Sequence, residues 1–100
     1  MSLVIAGTFR ADPAQRPALE AEMRKVLAAT LQETGCIAYS YAQDLADPDL
    51  IRVFEEWRDQ SSLDAHFASP HMKAWKNVRE GLGFSDRRLS LYDSASKKDI

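Results

Sequence analysis

The chain has 100 residues, 45% of them apolar and 28% charged, with a formal net charge of −2. That leaves room for one domain around one hydrophobic core, and it excludes a chain disordered throughout, because enough apolar surface is available to offset chain entropy. It also excludes an obvious nucleic-acid surface, which needs a concentrated basic footprint; Arg87-Arg88 and Lys97-Lys98 read as solvated surface charges.

Cys36 is the one cysteine, so neither an intrachain disulfide nor a cysteine-rich zinc site can form, which fits a reducing compartment. The first residues lack a basic n-region and reach Arg10 early. The apolar runs fall far short of the ~20 residues of a membrane helix. The expectation is a cytoplasmic protein with neither membrane nor nucleic acid as partner.

In chain order, Leu3 to Arg10 is β-branched and apolar and reads as a strand. Asp12-Pro13 with Gln15 gives a helix N-cap, a first-turn proline and a capping box. Leu19, Met23, Val26, Leu27, Thr30 and Leu31 then recur at helical spacing. Pro17 lies too deep for an unbroken helix, so the first turn is separable, and Gly35 is the expected C-terminal stop. Cys36 to Gln43 alternates, with Ile37, Tyr39 and Tyr41 on one face and Cys36, Ala38, Ser40 and Ala42 on the other. Asp47-Pro48-Asp49 is a turn by composition, and Leu50 to Trp57 completes a hairpin. On that strand Ile51, Val53, Glu55 and Trp57 face one way and Arg52, Phe54 and Glu56 the other.

Asp59 to Ser62 opens a second helical region carrying Leu63, His66 and Phe67, and Pro70 interrupts it. Met72, Trp75, Val78 and Arg79 continue it as far as Gly81 and Gly83, and Phe84 to Asp93 reads as the last strand. The domain therefore spans 1–93, with a tail at 94–100. The order is β-α-β-β-α-β, a ferredoxin-like α+β fold with an antiparallel sheet and helices on one face. Strand positions on both faces are partly apolar, so the face opposite the helices needs cover, and a homodimer supplies it.

Three constellations can carry chemistry. His66 and His71 are five residues apart, about 140° around an ideal helix, whereas a helical two-histidine metal site wants a spacing of four. No metal is therefore expected, and either imidazole is a candidate base because it titrates near neutrality. Glu55 shares its face with apolar residues, so it is either paired or set in a pocket. Tyr39, Trp57, Phe67 and Trp75 form either a flat aromatic pocket or plain core. The chain contains no G-x-S-x-G, G-x-G-x-x-G or P-loop. Cys36 lacks electropositive neighbours in sequence and reads as a small buried hydrophobe.

Three segments carry a family resemblance: Glu33-Thr34-Gly35-Cys36-Ile37-Ala38-Tyr39, Val53-Phe54-Glu55-Glu56-Trp57, and Leu63-Asp64-Ala65-His66-Phe67-Ala68-Ser69-Pro70-His71-Met72-Lys73-Ala74-Trp75. Together they resemble the antibiotic-biosynthesis-monooxygenase domain family, the last segment especially its quinol-monooxygenase branch. The resemblance covers about Leu3 to Asp93. It implies a dimeric α+β barrel and a cofactor-free oxidation of a quinol-like or polycyclic phenolic substrate by dioxygen. His66, His71 and Glu55 are then the catalytic candidates. Trp57, Phe67, Trp75 and Tyr39 are the substrate-facing candidates, with Gly7 where some relatives carry an Asn. Haem-degrading relatives have Asn, Trp and His at the positions of Gly7, His66 and Lys76, so no haem is expected here.

Two other readings stand beside this one. One is a non-catalytic dimeric barrel that binds a small aromatic or serves in stress response. The other is a cofactor-free isomerase of a small phosphorylated sugar, which would need Arg or Lys inside the pocket. The helix face shared by Leu63 and Phe67 is expected to turn His66 into the cavity, within reach of Glu55 or a ligand. His71 is expected at the rim or in backbone hydrogen bonds, and loss of the His66 ring is expected to change stability little.

Overall fold

A computed structural model describes residues 2–100. Its elements are β1 (Ser2–Ala11), α1 (Arg16–Thr30), β2 (Cys36–Gln43), β3 (Leu50–Trp57), α2 (Gln60–Phe67), α3 (Pro70–Val78) and β4 (Phe84–Ser94). Short 3-10 turns at Pro13–Gln15 and Glu80–Leu82 connect them. The four strands form one antiparallel sheet in the order β2-β3-β1-β4. This is the ferredoxin-like α+β fold expected from the element order. No helix among the described residues is long and apolar enough to cross a membrane.

Alternation along the strands sorts the sheet into two faces. Ile5, Phe9, Ile51, Val53, Trp57 and Tyr39 point toward the helices and are buried. One core cluster joins Phe9, Leu19, Val26, Trp75 and Phe84; a second joins Leu3, Ile5, Tyr39, Trp57 and Leu63. The opposite face is open, with Phe54 at 43% and Tyr92 at 57% exposure.

Several local expectations change. Asp12 caps the 3-10 turn through Oδ1, which accepts from Ala14 N at 3.0 Å, and α1 starts only at Arg16, with Pro17 in its first turn. Pro17 thus loses no helical hydrogen bond. The capping box is not needed, because Asp12 N–H donates to the Gly83 carbonyl at 2.9 Å. Helix α1 ends at Thr30, before Gly35, and a turn fills the interval. Gly35 has φ +87°, and a Cβ there would overlap the Ser62 side chain, so its role is to bring the turn against α2. A register shift between Cys36 and Ala38 reverses the alternation at the start of β2. Cys36 packs against the second core cluster, and Ile37 is 52% exposed.

A second irregularity lies where β4 passes β1. Thr8 faces Arg88 and Arg10 faces Ser85, so Asp86 and Arg87 together stand opposite Phe9. Asp86 takes φ 51°, the left-handed conformation that a bulge residue can adopt. Arg87 shares the face of Leu89, the helix side of the sheet, and the extra residue lets Phe84 return to that side as well.

Candidate functional site

Between the sheet and helices α2 and α3 lies a cavity of about 30 Å³, room for about one or two waters. Tyr39, Tyr41 and Glu55 line it from the sheet, His66 and Phe67 from α2, and Trp75 and Arg79 from α3 and its C-cap. Arg87 reaches it from the β4 bulge. Phe67, 42% exposed, forms part of the solvent-side wall.

His66 is completely buried. Its Nδ1 lies 2.7 Å from Glu33 Oε2, and His71 Nε2 lies 2.8 Å from the same oxygen. A carboxylate oxygen only accepts, so each ring nitrogen facing it carries a proton. In neutral His66 the other nitrogen, Nε2, then bears the lone pair, and it has no hydrogen-bond partner. Burial pulls the His66 pKa below the ordinary imidazole value, and the bond and charge of Glu33 pull it back up. The ring is clamped by Trp57 at 4.6 Å between centroids and by Tyr39 at 5.4 Å.

Chain geometry explains the convergence. Ser69 caps α3 through its Oγ, which accepts from Met72 N–H at 3.3 Å while donating to the His66 carbonyl at 2.6 Å. Pro70 sits at the first turn of α3, so the chain bends between the histidines and the five-residue spacing on one ideal helix does not apply. The ligating atoms of Glu33, His66 and His71 lie within 4.8 Å of one another. They are donors that could hold a divalent ion, at the cost of both hydrogen bonds; separations of 2.7 and 2.8 Å are those of N–H···O bonds.

The expected partner of His66 is therefore corrected. Glu55 instead accepts from Trp57 Nε1 at 3.0 Å. Its pKa is raised, chiefly by burial, against the opposing effects of that bond and of the Arg87 charge. The residue missing from the sequence reading is Glu33, which stands in the turn after α1 with no partner nearby in sequence.

Tyr39, Phe67 and Trp75 line the cavity as expected; Trp57 does not, and backs the His66 ring instead. His71 stands behind Glu33 and lines a separate shallow groove with Val26 and Ala74. Gly7 is outside the cavity wall: a Cβ there would overlap the Arg88 carbonyl, so it serves the close approach of β1 to β4. Arg87 is exposed but not merely solvated, since it lines the cavity. Tyr39 and Tyr41 share a 3.0 Å hydroxyl–hydroxyl bond. Burial raises both phenols, that of Tyr41 to about 12, so both remain protonated donors near neutrality. Burial and the neighbouring carboxylates raise the Cys36 thiol, which removes it as a nucleophile.

The family model "Antibiotic biosynthesis monooxygenase" matches residues 2–78. The Escherichia coli K12 protein YgiN, named a probable quinol monooxygenase, is 32% identical, the match covering 79% of this chain and 86% of YgiN. The crystal structure of PA3566 from Pseudomonas aeruginosa superposes with a TM-score of 0.81 at 29% identity, over 95% of this chain and 94% of that one. Rv0793 from Mycobacterium tuberculosis gives a TM-score of 0.78 at 25% identity, over 96% and 100% of the two chains. Fold, matched segments and relatives agree: the chain belongs to the antibiotic biosynthesis monooxygenase family.

Proposed function

We propose that the protein is a cofactor-independent monooxygenase of a quinol-like aromatic, with His66 Nε2 as the general base. The observation that carries this reading is the His66 ring itself. It is fully buried in an aromatic-lined cavity, fixed through Nδ1 by Glu33, and left with Nε2 unpartnered. A base within reach of a phenolic proton is what the chemistry requires. The name of the relative YgiN points to the same substrate class.

In the proposed reaction His66 removes a phenolic proton from the quinol. The electron-rich phenolate reduces dioxygen, and the resulting radical pair joins through a C–O bond to a ring carbon. Loss of water from that hydroperoxide, with the ring C–H proton, leaves a hydroxyquinone. One quinol and one dioxygen give one hydroxyquinone and one water, so one oxygen atom enters the arene and the other is reduced. The protonated Tyr39 and Tyr41 pair donates toward the developing phenolate. The site works in a homodimer in this reading, the open sheet face being covered by a second copy.

The test is oxygen uptake with a panel of quinols, with heavy-isotope dioxygen as co-substrate. One labelled oxygen per product molecule is the expected result. Uptake without label in the arene would mean simple oxidase chemistry, and no uptake over the buffer rate with any quinol would leave a binding role.

A further inference from the structure

We propose that the cavity is built for an anionic arene, with a carboxylate seated between Arg79 and Arg87 and the reacting hydroxyl at His66. This names the substrate class of the site described above and rests on that reading for the hydroxyl end only.

The first observation is two guanidinium groups in one cavity wall without a close ion pair. Arg10, Arg16, Arg24, Arg52 and Arg58 each meet a carboxylate within 4.0 Å. Among the described residues Arg79, Arg87 and Arg88 make no ion pair and no side-chain hydrogen bond within the protein, and of these three Arg79 and Arg87 line this cavity. Arg79 Nε is buried and without a partner. Its guanidinium instead lies 4.4 Å from the centroid of Phe84 and 5.8 Å from that of Trp75. Burial, and then the charge of Arg87, pull the Arg79 pKa down, the direction expected where a cation lacks an anion. Two like charges facing one small cavity are unfavourable until an anion joins them. Glu55 is the one carboxylate in the wall, and it is engaged by Trp57 Nε1, so the lining retains an excess of one positive charge.

The second observation is the β4 bulge. Arg87 shares the helix side of the sheet with Leu89 two residues on, and the extra residue at 86–87 brings Phe84, over which the Arg79 guanidinium lies, to that same side. Bulges recur beside functional sites, and this one seats both Arg87 and Phe84 in the cavity wall. The third is polarity along the cavity. The two arginines act electrostatically on Tyr41, Tyr41 bonds Tyr39, and the Tyr39 ring meets the His66 ring. Cationic and basic ends are thus separated by an aromatic wall, which suits an arene carrying an anion at one end and a hydroxyl at the other. The planar guanidinium fork matches a carboxylate. At about 30 Å³ the cavity must widen to admit a ring. Arg87, exposed and held by no ion pair, is the lining side chain that can swing aside to admit it.

Binding is measured without oxygen, by tryptophan fluorescence of the intact protein, with gentisate (a quinol carboxylate), hydroquinone (its neutral parent) and ribose phosphate. Gentisate is expected to bind at least about tenfold tighter than hydroquinone, the effect of a charge-assisted pair. The advantage should vanish in Arg79→Gln and in Arg87→Gln and return in part in Arg87→Lys. Equal affinity for gentisate and hydroquinone, an advantage surviving both Gln variants, tighter binding of ribose phosphate, or no saturable gentisate binding would each overturn the proposal. Because oxygen is absent, the outcome does not depend on catalysis. Selective gentisate binding without oxygen uptake would support the anion site while sinking the monooxygenase reading.

Discussion

His66 and Glu33, 33 residues apart in the chain, meet at 2.7 Å, and the bond ties the buried imidazole of α2 to the turn that follows α1. Glu33 touches no part of the cavity, so its effect on the reaction runs through the histidine. It orients the ring, fixes the tautomer and raises the pKa that burial lowers.

Glu33→Gln is therefore expected to lower kcat by roughly 10- to 100-fold, the range seen when a supporting carboxylate behind a histidine is lost. The direction of the pH effect follows from the sign of the coupling. Glu33 raises the His66 pKa, so its loss lowers that pKa, and the base form then persists to lower pH. The acid limb of the kcat profile should move down in pH. A profile that keeps its acid limb while kcat falls would show Glu33 to be a folding residue only.

Gly7→Ala should destabilise the protein by about 1–3 kcal/mol, since the new Cβ overlaps the Arg88 carbonyl and the strand pair must part. Thermal melts should show a fall of several degrees. An unchanged melting temperature would mean that β4 yields freely beside its bulge.

Much of the fold was readable from the chain because its signals are local. Alternation placed Ile51, Val53, Glu55 and Trp57 on one face, and Asp59 caps α2 at the start of the helical region it opens. The histidines were readable as candidates, and His66 does line the cavity. What escaped was non-local or irregular. Glu33 acts on residues more than thirty positions away, and nothing in its own turn announces that. The bulges at Ile37 and at 86–87 shift alternation by one, which no period-two pattern can foresee. Complete burial of His66 also overturns the expectation that its ring adds little to stability: His66→Ala would open a void against Trp57 and cost stability as well as activity.

The open sheet face carries Phe54 on β3 and Tyr92 on β4, both exposed, with Val4 and Ala6 of the intervening β1 between them. A homodimer through this face should bury more than ~1,000 Å². Light scattering at micromolar protein should give twice the chain mass, and Phe54→Lys should shift it toward the monomer. A monomeric wild type would end the dimer expectation.

The donors of Glu33, His66 and His71 bear on metals as well. If the dyad works through protons, dialysis against a chelator should leave oxygen uptake unchanged, and added zinc should inhibit by displacing the hydrogen-bonded protons. Activity lost to the chelator and restored by one metal would reassign the cluster as a metal centre.

The most direct measurement is oxygen uptake by His66→Gln beside the wild type, with circular dichroism to confirm folding. Glutamine can still donate to Glu33 but offers no basic nitrogen to the cavity. A drop in kcat of about 10²–10⁴-fold in a folded protein is the predicted result, as for a lost general base. Turnover within about twofold of wild type would contradict the role given to His66 Nε2.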